Sequence, residues 1–175
     1  MKIRFEPLTY FLILLFAGSA FTSCMDDDGL PDEPVINEIW FDKAADELNI
    51  RFTDGDGDFG LEPNQTDPPF HLYEEDSTIN FFYFNLHVDT YYRSEGEWVP
   101  VILPEGALGN NYRIPDLTPE GQSKQLRVLV RVDFSNANEE MLTEETDTVQ
   151  YRAVIVDRAL NISNEARTEP VIFSD

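Results

Sequence analysis

The segment Asp54-Gly55-Asp56-Gly57-Asp58-Phe59-Gly60 carries the most distinctive chemistry in this chain. Three carboxylates alternate with glycines, so the backbone can turn tightly while the acids converge. Carboxylates held close together repel unless a proton or a cation lies among them. The ion suited to such a loop is calcium, which takes about six to eight oxygens from carboxylates, carbonyls and water. Glu62 is near enough in sequence to close the loop. Asp157, with Asn161 after it, offers oxygens from a second turn far along the chain. The candidate ligands are therefore Asp54, Asp56, Asp58, Glu62, Asp157 and Asn161. The alternative is a turn that binds nothing, because aspartate and glycine favour turns in any case. For Asp157 and Asn161 that alternative is capping of nearby backbone amides.

The start of the acidic segment resembles an EF-hand or dockerin-type loop, D-x-D-x-D-G. It departs from that pattern at Phe59, where glycine belongs, and at Gln65, where the loop-closing glutamate belongs. No helical period flanks it, so the reading is a different kind of calcium loop.

Cys24 is the second chemical feature and the chain's one cysteine. Before it come Lys2 and Arg4, an apolar stretch from Leu8 to Ala17, and the small residues Gly18, Ser19 and Ala20. This is the layout of a secretory signal. The apolar stretch is short of the roughly 20 residues that a membrane-spanning helix needs. Phe21-Thr22-Ser23-Cys24 resembles a lipobox in the relaxed form found in Bacteroidota, with Phe21 where leucine is usual. The resemblance implies that residues 1–23 are a cleaved signal peptide and that Cys24 carries lipid, anchoring the protein to a membrane. Met25-Asp26-Asp27-Asp28-Gly29 resembles the acidic signal that sends such lipoproteins to the cell surface. It also has the composition of a solvated tether. Residues 24–34 are read as a linker and 35–175 as one domain.

The full chain has a net charge of −22, with 42% apolar residues. Removing residues 1–23, which include Lys2, Arg4 and Glu6, leaves 152 residues with 10 basic and 33 acidic side chains. Such a surface repels nucleic acid and anionic lipid heads and favours cations or basic partners. The apolar content argues against disorder despite the charge.

Period-two patterning dominates the elements that must position these residues. Leu126, Val128, Val130 and Val132 alternate with Arg127, Leu129 and Arg131, which predicts a strand with one packed face. Strands are predicted at roughly 35–41, 46–53, 79–92, 97–103, 124–135, 147–157 and 166–173. About seven short strands with turn signals between them predict an all-β fold, an immunoglobulin-like antiparallel β-sandwich. In that topology the loops after the second and sixth strands lie at the same end, which would bring Asp157 to the acidic segment.

The histidines, His71 and His87, have no second cysteine with which to build a zinc site. No G-x-S-x-G elbow is present. On the long predicted strand, Phe81, Tyr83 and Tyr91 share the phase opposite the core, with Trp98 on its hairpin partner. Exposed, they would form an aromatic platform for sugars. The other reading is that a loop such as Pro68 to Tyr73 covers them.

Taken together, the lipobox, the acidic tether, F-T-D-G-D-G-D-F-G, Y-R-I-P-D-L-T-P-E-G-Q and V-D-R-A-L-N-I-S-N resemble a group of uncharacterised Bacteroidota lipoproteins with an immunoglobulin-like domain. The resemblance implies an outer-membrane location but no known activity. It leaves two expectations: a lipid-anchored binding or structural module stabilised by calcium, or a glycan-active hydrolase or glycan-capture protein of an outer-membrane uptake system.

Overall fold

The computed structural model describes residues 29–102, 107–121, 124–134 and 147–173. Residues 1–23, expected to be a signal peptide, and Cys24 lie outside the described residues. Nine strands and one 3-10 turn run through the rest. The strands are β1 (Val35–Asp42), β2 (Glu47–Asp54), β3 (Leu86–Ser94), β4 (Glu97–Pro100), β5 (Asn110–Tyr112), β6 (Leu126–Asp133), β7 (Thr148–Ile155), β8 (Ala166–Arg167) and β9 (Val171–Ile172). Among the described residues no helix is long and apolar enough to cross a membrane.

One sheet has the order β1-β2-β6. The other runs β4-β3-β7-β8, with β5 also on β3 and β9 also on β7. All the pairings are antiparallel. The first two strands share a sheet with β6, while β3, β4 and β7 lie in the other. The fold is an all-β sandwich, as the alternation predicts.

The inner faces follow the period-two pattern. Leu48, Ile50 and Phe52 from β2 meet Leu86 and Val88 from β3 and Val149, Tyr151, Ala153 and Ile155 from β7. Tyr151 stacks on Phe41 at 5.0 Å and meets Phe134 edge-on at 4.9 Å. With one cysteine no internal disulfide can form, so these contacts hold the two sheets together.

Three predicted strands differ in extent. Residues 79–85 do not join β3. Asn80 caps a 3-10 turn at Phe81–Tyr83, its side chain accepting from the Phe82 N–H at 2.9 Å. The same side chain donates to the carbonyls of Pro69 and His71, which ties the turn to the preceding loop. Strand β4 ends at Pro100. The last predicted strand is split into β8 and β9, because Thr168 turns inward, its Oγ1 accepting from the Tyr151 N–H, and Pro170 supplies no N–H. The short β5 is an addition.

Candidate cation site at the linker pole

Strand β2 ends at Asp54, which is fully buried. Its Oδ1 accepts the Gly57 N–H at 3.1 Å, while Oδ2 has no hydrogen-bond partner. The loop that follows needs its glycines. Gly57 has φ +70°, and a Cβ there would lie 1.7 Å from the Lys124 carbonyl oxygen. Gly60 has φ +105°, with Pro115 O at 2.2 Å from the same imagined atom.

The loop is anchored on both sides of Gly60. Phe59 is fully buried and packs edge-on against Phe52 at 4.7 Å. Its carbonyl accepts from the Leu117 N–H, and the Leu61 N–H donates to Ile114 O. The strap at 114–117 is held in turn by buried Asn85, whose side chain bonds both the N–H and the carbonyl of Ile114. The residue at the EF-hand glycine position is therefore a core anchor, a role that a glycine has no side chain to fill.

This frame brings carboxylate oxygens of Asp54, Asp56 and Asp58 within 4.8 Å of one another. Asp58 is half-buried and also has a buried oxygen, Oδ1, without a hydrogen-bond partner. Burial pushes the Asp54 pKa up to about 7, with the adjoining carboxylates of Asp56 and Asp58 adding to the effect. Asp58 rises to about 6, first through burial and then through the charges of Asp157 and Asp56. Asp157 is buried and also raised, by burial foremost and by Asp56 among the charges. The turn after β7 thus lies near enough for its charge to act on Asp58, but Asp157 is not among the three acids whose oxygens converge. Arg158 lowers Asp58, but its guanidinium is already engaged, with Asp116 at 2.6 Å and with Thr118.

The other two candidate ligands are placed differently. Glu62 is exposed and is not one of the three converging acids. Its carbonyl accepts from Arg113, and its N–H donates to Gln65 Oε1. Asn161 donates both its backbone N–H and its Nδ2 to the Asp157 carboxylate, each at 2.8 Å. Capping is what these bonds do, with Asp157 accepting and Asn161 fixing its orientation.

Sequence reasoning missed Asn164 and Pro31. Asn164 bonds both the N–H and the carbonyl of Ile36, at 2.8 and 3.1 Å. The Pro31 carbonyl accepts from the Gly55 N–H at 2.9 Å. Both are long-range contacts that no local spacing announces.

The arrangement can neutralise a hard cation. Its converging donors are all carboxylate oxygens, with no sulfur or imidazole among them, which suits calcium chemistry. Two buried oxygens, Asp54 Oδ2 and Asp58 Oδ1, have no hydrogen-bond partner, and either a proton or a cation would satisfy them.

The aromatic row is not built as the alternation predicts, because Phe81 and Tyr83 leave the strand for the 3-10 turn. Phe81 stacks on half-buried His87 at 4.0 Å. Arginines lie over three other rings: Arg113 over Tyr83, Arg167 over Tyr91 and Arg93 over Trp98. A shallow groove of about 390 Å³ lies between β1 and β9, lined by residues that include Trp40, Phe41, Lys43, Glu169 and Ile172. Comparison of the chain with protein families, with curated proteins and with solved structures found no match.

Proposed function

We propose that this protein is a lipid-anchored binding or structural module of the cell envelope or cell surface, a β-sandwich whose linker-proximal pole is stabilised by a calcium ion. The observation that carries the reading is the convergence of Asp54, Asp56 and Asp58, two of which, Asp54 and Asp58, have a buried carboxylate oxygen without a hydrogen-bond partner. The signal-like leader and the lipobox-like residues ending at Cys24 support the anchor. Dual or multiple acyl chains on one residue hold a protein firmly, at about 0.8 kcal/mol per buried methylene.

The rival reading as a glycan hydrolase wants two carboxyl groups facing each other across a cavity, one kept protonated by a raised pKa and the other ionised. The raised carboxylates here sit in a glycine-pinned loop, and the groove beside β9 is lined by one carboxylate, Glu169. The module reading therefore takes precedence.

The test is thermal unfolding of the mature chain in calcium and in chelator. Calcium should raise the melting temperature, and Asp56→Ala should remove that response. Superimposable traces in calcium and chelator would dismiss the ion. Metabolic labelling with a fatty acid tests the anchor: Cys24→Ala should lose the label.

A further inference from the structure

The pole that gathers the acids is also where the linker joins the domain. The described residues just before β1, 30–34, are held against the domain. Pro34 is fully buried, and Val35 pairs with Thr53, one residue before Asp54. The Gly55 N–H, between Asp54 and Asp56, donates to Pro31 O. A Cβ at Gly55 would lie 2.4 Å from Pro31 O and 2.6 Å from Leu30 O, so the linker backbone lies directly on the loop. On the other side, Asn164 grips both polar groups of Ile36. It closes the same 157–164 turn that begins with Asp157.

Both loops that carry the carboxylates thus also hold the start of the domain. The acid cluster is more than surface charge, because Asp54 is fully buried, its Oδ2 has no hydrogen-bond partner, and its carboxylate lies within 4.8 Å of those of Asp56 and Asp58.

We propose that the cluster is a cation-operated clasp: a divalent cation drawing the two acidic loops together locks the linker at Pro31 and Ile36, and so fixes the angle between tether and domain. The proposal rests on the cation reading above and assigns that site a regulatory task. Cation binding and linker docking must then be reciprocal, each strengthening the other by the same factor.

The experiment is amide hydrogen exchange on the mature wild-type chain, in calcium and in chelator, alongside calorimetric titration with calcium. The Gly55 and Ile36 amides report the clasp. The Phe173 amide, bonded to Asp147 O at the opposite pole, reports general stabilisation. Calcium should slow exchange at Gly55 and Ile36 about tenfold more than at Phe173, within the usual range of coupling. Gly55→Ala crowds the linker without removing a carboxylate, and should weaken calcium binding by a similar factor. If that variant does not fold, Asn164→Ala makes the same test from the other loop. Calorimetric binding with equal slowing at all three amides overturns the clasp and leaves the ion site standing. No binding heat and no change in exchange overturns both.

Discussion

At the scale of single residues, the acid cluster sets a pH dependence whose sign can be worked out. In the unfolded chain Asp54 and Asp58 release their protons near 3.8, whereas in the folded protein they hold them to about 7 and about 6. Between those limits the folded state binds more protons than the unfolded one. Stability in chelator should therefore fall as pH rises from about 4 to about 7, and level off above that. Calcium binds the deprotonated carboxylates, so its presence should oppose or reverse the fall. Melting curves across this range, with and without calcium, check both directions. Asp54→Asn keeps an oxygen for the Gly57 N–H and removes the buried charge. In chelator at neutral pH it should melt higher than wild type, with about 2–4 °C expected per kcal/mol in a domain of this size. It should lose much of the calcium response. A variant that melted lower and kept its full calcium response would contradict the account of Asp54 as a charge awaiting a counterion.

The loop after β2 behaves as an element of its own, fastened by one aromatic side chain and two backbone bonds. Phe59→Ala removes the ring packed on Phe52 and should cost about 3–5 kcal/mol, the usual range for a buried phenylalanine. Urea unfolding would register this as a lower midpoint with little change in slope. Calcium affinity should fall with it, since Phe59 is the neighbour that holds Asp58 in place. The strands themselves were legible because alternation is a local signal: β2, β6 and β7 follow directly from their apolar phase. What the period could not report was the fate of residues 79–85, where a buried Asn80 diverts the chain into a turn. The nearness of the turn after β7 to the loop after β2 was legible from topology, since both follow strands that end at one pole. The position of Glu62 was not, because nearness in sequence says nothing of direction. The Leu61 bond to Ile114 carries the chain along the strap at 114–117, and Glu62 ends exposed. Asn164 and Pro31 act through backbone groups far away in sequence, and those contacts exist only once the sandwich has closed.

At the scale of the molecule, the acidic surplus of the chain, −22 in net charge over its full length, acts in two separable ways. The exposed acids repel one another through solvent, and simple salt screens this because the Debye length is about 10 Å at 0.1 M. The cluster of Asp54, Asp56, Asp58 and Asp157 is buried or half-buried for the most part, where mobile ions screen poorly. Raising sodium chloride to about 0.5 M in chelator should therefore raise the melting temperature of wild type and of Asp56→Ala by similar amounts. Calcium at millimolar concentration contributes little ionic strength, and should act on wild type alone. The two increments should add in wild type, because they relieve repulsion in different places. If sodium chloride reproduced the whole calcium effect, the cluster would be one more patch of surface charge. If calcium still raised the wild-type melting temperature in high salt, general screening would not account for its action, and the cation would have to be held where the chain gathers its carboxylates.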